Sequence, residues 1–282
     1  MNKQTAPTLI DYYDKTRWDY RQVWNVRNNF SLHFGYYDET ATKHDAAVLN
    51  MNRQLADWAG IKAGDHVLDA GCGVGGSCIW LARERGATAV GITLAASQVQ
   101  DAELNVAKTG VKGVTFKQES YLNTSFSDET FDIVWAIEAQ CHAPNKADFY
   151  KEAYRVLKKG GTLVVADYIR TARPVAPEGE AIMKIWFDNI FIPDIDTQAE
   201  HHSHAQKAGF TTFEVRDVSE NVKISFKNIY EHCTRWIKLA KVLNKVNLVS
   251  DVRIGNAEGT IAQVDAIRGG YWFYGLLKAV KK

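Results

Sequence analysis

Cysteine is scarce in this chain, and its placement excludes several classes of protein. The four cysteines, Cys72, Cys78, Cys141 and Cys233, form no CxxC pair and no metal-finger spacing. Neither a zinc module nor a disulfide framework is therefore expected, and reduced thiols in a cytoplasmic protein are the simplest reading. Long apolar runs are also missing. No stretch approaches the roughly 18 apolar residues of a membrane span, and MNKQTAPTLIDYYDKT lacks the apolar core of a secretion signal. Charge of one sign is absent, since 34 basic and 33 acidic residues leave a formal net charge of +1. That balance offers no electrostatic footprint for nucleic acid or an anionic membrane. Repeats, low-complexity tracts and obvious linkers do not occur. What is present is ordinary globular composition, 46% hydrophobic and 24% charged over 282 residues, enough to bury one large core.

The stretch from Ile10 to Gly60 reads as helical and carries many aromatics, among them Tyr12, Tyr13, Trp18, Trp24, Phe34, Tyr36 and Tyr37. From Gly64 onward strand-like and helix-like segments alternate. Strands are predicted over 66–69, 88–93, 114–118, 131–136, 161–169, 212–217 and 271–280. Helices are predicted over 76–85, 96–109, 146–157, 178–192, 197–208 and 224–246, with Gly110 capping the second of these. Alternation of this length implies a doubly wound, mostly parallel seven-stranded sheet, an α/β fold with helices on both faces. The expected organisation is a single unit over 1–282: a helical cap to residue 60, a core over 61–169, a lid insertion over 170–210, and the rest of the core with further cap helices over 211–282.

The most informative stretch is Val67-Leu68-Asp69-Ala70-Gly71-Cys72-Gly73-Val74-Gly75-Gly76. Glycines at the end of a first strand let the backbone turn sharply and approach a ligand, and the following helix offers N–H groups and a positive dipole end. Gly71, Gly73 and Gly76 satisfy GxGxxG, so a dinucleotide site and a plain tight turn are both open readings. Two features count against a dinucleotide. Asp69, two residues before the first glycine, could hold the amino group of an amino-acid moiety. The position about 20 residues on, where a dinucleotide site wants an acid for the ribose, is Thr93.

VLDAGCGVGG is similar to the first cofactor motif of the class I S-adenosylmethionine-dependent methyltransferases. GITLAASQ resembles the second-strand signature of their tocopherol methyltransferase and cyclopropane synthase branch, in which a Thr-Leu pair and a downstream Gln contact the ribose. The resemblance thus implies cofactor contacts from Asp69, Gly71, Gly73, Thr93, Leu94 and Gln98. In Gln118-Glu119-Ser120-Tyr121 it implies that Ser120 and Tyr121 flank the adenine, with Ser120 standing where many relatives carry Asp. FDIVWAIEAQCHAP, residues 131–144, closely resembles the sterol 24-C-methyltransferases, in which AIEATCHAP is typical and only Gln140 differs. Ile137 from this stretch joins the expected cofactor contacts.

Glu138 and His142 stand at the carboxyl-end crevice of the fourth strand as a candidate acid–base pair; alternatively Glu138 orients the cofactor and His142 caps the next helix. Cys141 is read as packing. HFGYY (residues 33–37) and Tyr12-Tyr13-Asp14 resemble the N-terminal elements that close over the methionine end, which makes His33 and Tyr13 catalytic candidates and Tyr12 a cofactor contact. Trp186, Phe187 and Phe191 either line a lipophilic cavity or belong to the core. Glu200, His201, His202 and His204 invite a metal reading, but no further ligand is spaced to complete a site, and a solvated helix face is expected instead.

The resemblance implies an enzyme that passes a methyl group from S-adenosylmethionine, leaving S-adenosylhomocysteine, to a small lipophilic acceptor of secondary metabolism. Carbon methylation of a prenyl, terpenoid or steroid-like molecule is the first reading. Oxygen or nitrogen methylation of a phenolic or amine metabolite is the second, and a non-catalytic protein that binds S-adenosylmethionine is the third. No nucleic-acid partner is expected, and the chain acts alone or as a homodimer.

Overall fold

One seven-stranded sheet in the order β3-β2-β1-β4-β5-β7-β6 organises the computed structural model, which describes residues 9–10 and 29–282. Tyr12 and Tyr13 lie outside the described residues. The strands are β1 (His66–Ala70), β2 (Thr88–Thr93), β3 (Val114–Gln118), β4 (Phe131–Ile137), β5 (Leu157–Arg170), β6 (Thr212–Asp217) and β7 (Trp272–Val280). The first five pair in parallel, and β7 inserts antiparallel between β5 and β6. The helices are α1 (His44–Ala59), α2 (Gly76–Arg85), α3 (Ala96–Thr109), α4 (Lys146–Val156), α5 (Pro177–Ile190), α6 (Gln198–Ala208), α7 (Ser219–Asn244) and α8 (Asp251–Arg268).

Strand alternation divides the core into two layers. Val67, Ile133, Trp135 and Val164 face Met51 and Leu55 of α1 and Trp80 and Leu81 of α2. Leu68, Val134, Ala136 and Val165 face Phe149, Tyr150 and Ala153 of α4 and Ala205 of α6. A central strand covered on both faces needs apolar groups at every position, which is why β4 reads as an almost continuous hydrophobic run. The order reverses between β1 and β4, and in open α/β sheets the crevice for a ligand opens at that point, outside the carboxyl ends of the strands.

Helix ends follow local chemistry. Gly110 closes α3 in the left-handed conformation. Thr197 and Glu200 form a reciprocal capping box at α6, and the Asn145 side chain caps α4 by accepting from the Ala147 N–H.

The helical expectation over Ile10–Gly60 needs correcting where the structure describes it. Residues 30–43 carry no helix. Instead they cross the carboxyl end of the sheet, with Phe34 2% exposed and wedged edge-on against Phe226, Tyr168 and Tyr274. The sequence reading also had no helix at α8. Gly255 and Gly259 lower its helix propensity, but they let it approach α5: a Cβ on Gly259 would lie 2.8 Å from Ile190 Cγ1 and 2.9 Å from Asn189 Cβ. Packing against α5 outweighs the local penalty. The cap therefore comes from two insertions, α5 before β6 and α7–α8 before β7, while α6 packs with α4 on the sheet face.

Candidate active site

At Gly71 and Gly76 the turn after β1 leaves no room for a side chain. Gly71 has φ +103° and a Cβ there would meet the Ala139 Cβ at 2.3 Å; a Cβ on Gly76 would meet the Phe30 carbonyl oxygen at 2.3 Å. Bare backbone therefore faces a recess that is lined by Leu32, His33, Asp69, Gly73 and Ile137 as well. Asp69 is buried and accepts a contact from the Cys78 thiol at 3.2 Å, and loss of solvation pushes its carboxyl up to about 7. His33, also buried, has Nδ1 3.0 Å from the Phe34 carbonyl oxygen. A carbonyl only accepts, so Nδ1 carries the proton and Nε2 is an acceptor. Nε2 has no partner among the described residues, and burial lowers the ring to about 4.

Beyond β2, the Thr93 hydroxyl donates to Gln98 Oε1 at 2.6 Å, joining two residues that the sequence placed on the same ribose. Both line an inner cavity with Gly71, Gly73, Leu94, Tyr121, Ile137, Glu138 and His142. Tyr121 is fixed by a bond from its hydroxyl to the Ala139 carbonyl at 2.8 Å and by an edge-on contact with Phe149. Ser120 stands apart from this set. Its hydroxyl oxygen accepts from the Leu122 N–H at 3.2 Å, and the residue borders an outer cleft of about 930 Å³.

Glu138 is the hub of the site. Its Oε1 accepts from the Phe34 N–H and from the Tyr274 hydroxyl, and its Oε2 accepts from the Tyr168 hydroxyl, each at 2.8 Å. The residue sits at φ +49°, a left-handed conformation unusual for a non-glycine residue. Strain of this kind costs about 1–3 kcal/mol and persists where surrounding contacts over-determine it; three donors on one carboxylate do so here. Removal from bulk water pushes the carboxyl up to about 7 despite them. Tyr168 and Tyr274, which hold Glu138, escaped the sequence reading. Both point inward from neighbouring strands, and nothing in their spacing separates them from ordinary core tyrosines.

His142 lies on a single turn, Gln140–His142, and not at a helix cap: Asn145 holds that position. The capping alternative for His142 is therefore wrong. Its Nδ1 lies 3.0 Å from the Phe191 carbonyl oxygen, which makes Nδ1 the donor and Nε2 the acceptor nitrogen. Burial lowers the ring to about 4, so it is neutral at pH 7. His142 lines both the inner cavity and the outer cleft.

The remaining wall of the inner cavity is the cap. Trp186 and Ile190 of α5, Ile229 and Cys233 of α7, and Asn256, Thr260 and Gln263 of α8 line it. Trp186 is both core and lining, since it is fully buried against Tyr168 and Trp272. Phe187 and Phe191 face the outer cleft. The expectation of a solvated face on α6 holds for His202 but fails for two neighbours. His201 is 1% exposed and packs on Tyr150, and His204 contacts Asp196 at 3.0 Å. Among the described residues no three metal-ligating side chains converge.

These residues fit S-adenosylmethionine. The side-chain-free cradle at Gly71–Gly76 admits close backbone approach, the unpartnered His33 Nε2 and buried Asp69 offer acceptors for an ammonium group, and Thr93 with Gln98 offers polar groups to a ribose.

Comparisons with known proteins agree. A family model described as a methyltransferase domain matches residues 61–209. Among curated relatives, Methyltransferase GfsG of Streptomyces halstedii is 30% identical over 218 residues, covering 76% of each chain. The 27-O-demethylrifamycin SV methyltransferase of Amycolatopsis mediterranei is 28% identical over 234 residues, 82% of this chain and 84% of its own. A sterol 24-C-methyltransferase of Eremothecium gossypii is 36% identical over 171 residues, 58% of this chain; the match spans only 44% of the sterol enzyme. In fold, the cyclopropane synthase MmaA2 of Mycobacterium tuberculosis superposes with TM-score 0.82 at 16% identity over 99% of this chain and 100% of its own. The [4+2]-cyclase SpnF superposes with TM-score 0.77 at 20% identity over 98% and 96%.

Proposed function

This chain belongs to the class I S-adenosylmethionine-dependent methyltransferases, and within that family we propose that it methylates a neutral, lipophilic small molecule, with core and cap acting as one unit. One observation carries the reading: beyond the glycine turn the cavity is walled by Leu32, Phe34, Trp186, Ile190 and Ile229, and the one carboxylate among the described residues that line it, Glu138, is already held by three donors. A phosphorylated acceptor needs unpaired cations. Among the described residues, the cations bordering the outer cleft are paired: Arg170 with Glu180 and Asp194, Arg173 with Asp194 and Glu200, Lys184 with Asp188. The inner cavity holds about 170 Å³ and shares Leu94, Tyr121, His142 and Ile192 with the outer cleft, so the bulk of a large acceptor lies outward. Two relatives are named for methylating 27-O-demethylrifamycin SV and sterols.

When bound, S-adenosylmethionine supplies an electrophilic methyl group on a positively charged sulfur. The chain's part is mainly to position and to exclude water, because orientation contributes about 7–11 kcal/mol to such a displacement and a general base about 3–5. Asp69, His33 and the Gly71–Gly73 backbone hold one end of the donor, and Thr93, Leu94 and Gln98 hold the ribose. Ile137 and Tyr121 close the floor. Tyr168, Tyr274 and the Phe34 N–H hold the Glu138 carboxyl in place, and with its pKa pushed up to about 7 it carries negative charge above that pH. Three of the roughly four lone-pair sites of a carboxylate are occupied, so Glu138 steers charge and does not travel to collect a proton.

For an alkene acceptor, the methyl group leaves the donor sulfur for one alkene carbon, and Glu138 and the faces of Phe34, Tyr168 and Trp186 stabilise the cation left on the other. A neighbouring C–H proton then passes to the neutral His142 ring as the double bond re-forms. This reading of carbon methylation on a prenyl or steroid-like molecule comes first, on the AIEAQCHAP stretch. Oxygen methylation is the second reading, favoured by the neutral His142, whose Nε2 can take a hydroxyl proton at the cavity wall.

The test is transfer of labelled methyl from S-adenosylmethionine to a panel of isoprenoid alcohols, steroids, phenols, amines and prenyl diphosphates. Label is expected in neutral lipophilic members. Label confined to amines or diphosphates, or found in no acceptor despite tight S-adenosylhomocysteine binding, rejects the reading.

A further inference from the structure

On the α8 wall, three uncharged polar side chains, Asn256, Thr260 and Gln263, line the inner cavity among the described residues. Thr260 and Gln263 are 6% and 4% exposed, and both line the inner cavity. The Thr260 hydroxyl donates to the Asn256 carbonyl one turn earlier at 2.8 Å, which leaves its oxygen as an acceptor. The Gln263 main-chain carbonyl accepts from the Trp272 indole N–H at 3.0 Å, which locks this turn of α8 to β7. The Gln263 carboxamide itself has no hydrogen-bond partner among the described residues. A cap that needed only to be apolar would carry leucine or methionine there.

We propose that Thr260 and Gln263 form a hydroxyl-recognition subsite that selects which lipophilic acceptor is bound. The pair presents an acceptor oxygen from Thr260 and both a donor and an acceptor from Gln263, which complements a group that donates one hydrogen bond and accepts another. A hydroxyl does this; a hydrocarbon does neither, and among the described residues α8 turns no charged side chain to the cavity. The α5–α8 contact at Gly259 fixes the depth of the pair in the cavity. Recognition of this kind discriminates because an analogue lacking the hydroxyl leaves the buried amide unpaired. The inference rests on the neutral-acceptor reading above.

The test uses the full chain saturated with S-adenosylhomocysteine. It is titrated with matched pairs dispersed in cyclodextrin, cholesterol against its 3-deoxy hydrocarbon and geranylgeraniol against its deoxy hydrocarbon, with tryptophan fluorescence as readout. Wild type is expected to prefer the hydroxylated member of at least one pair about tenfold. Gln263→Met should cut that preference to about twofold or less without changing the affinity for the hydrocarbon or for S-adenosylhomocysteine. Thr260→Val should cut it part-way, and is read alone if Gln263→Met no longer binds S-adenosylhomocysteine. Equal binding of both members by wild type, or a preference that survives the substitutions, overturns the subsite and leaves the neutral-acceptor reading standing. Failure of wild type to bind any member overturns both.

Discussion

The floor of the cavity, from the carboxyl ends of β1, β2 and β4, and its cap, from α5, α7 and α8, differ in how strictly each position is specified. On the floor a single atom is too many: Gly71 cannot carry a Cβ without meeting Ala139, and Glu138 needs all three of its donors to hold a left-handed backbone. On the cap, Ile190 and Ile229 supply shape and apolar area, which many residue combinations provide equally well. The difference teaches where change is tolerated. On the proposed reading the floor meets the methyl donor and the cap meets the acceptor.

The largest expected effect breaks the floor. Gly71→Ala should abolish measurable S-adenosylhomocysteine binding by calorimetry, a loss above about 100-fold, because both φ and the Ala139 contact forbid a side chain. A variant that binds normally would show that the turn is not the donor site.

Glu138→Gln comes next, because it keeps the shape and removes the charge. Turnover should fall about 10- to 100-fold, with donor affinity changed little. Its pH behaviour has a defined sign. The folded carboxyl lies at about 7 against an ordinary 4.5, so its contribution to stability is complete below about pH 4.5 and is lost as pH rises through about 7. The Gln variant lacks that loss, and its melting temperature relative to wild type should climb between about pH 5 and about pH 8. A flat difference across that range would place the Glu138 pKa near its ordinary value.

Smaller effects separate the walls. Gly259→Val should push α8 off Ile190 and Asn189, raising the acceptor KM about tenfold while donor affinity stays within about threefold. If donor affinity fell equally, the two walls would not be independent. Thr93→Val, which removes the hydroxyl bonded to Gln98, should weaken donor binding only about three- to tenfold in the same calorimetry.

The same contrast governs what could be read from the sequence. The floor is built of short loops between regular elements, so the glycine pattern, Thr93, Gln98 and Glu138 announce themselves within a few residues of chain, and the strands over 88–93, 114–118 and 212–217 match the expected bounds. The contacts that hold Glu138 were not legible, because Phe34, Tyr168 and Tyr274 come from three distant parts of the chain and meet only in the folded sheet. Nor was α8: Gly255 and Gly259 lower its helix propensity, and the close approach they allow is visible only once α5 lies against them. His201 looked like part of a polar helix face, yet tertiary packing buries it against Tyr150.

The division of the cavity into a donor floor and an acceptor cap is tested most directly by a crystal structure of the chain with S-adenosylhomocysteine. The account predicts ligand density against Gly71, Gly73, Thr93 and Gln98, with Trp186, Ile190, Thr260 and Gln263 left clear. Density in the outer cleft beside Arg170 and Arg173, or across the α8 wall, would contradict it.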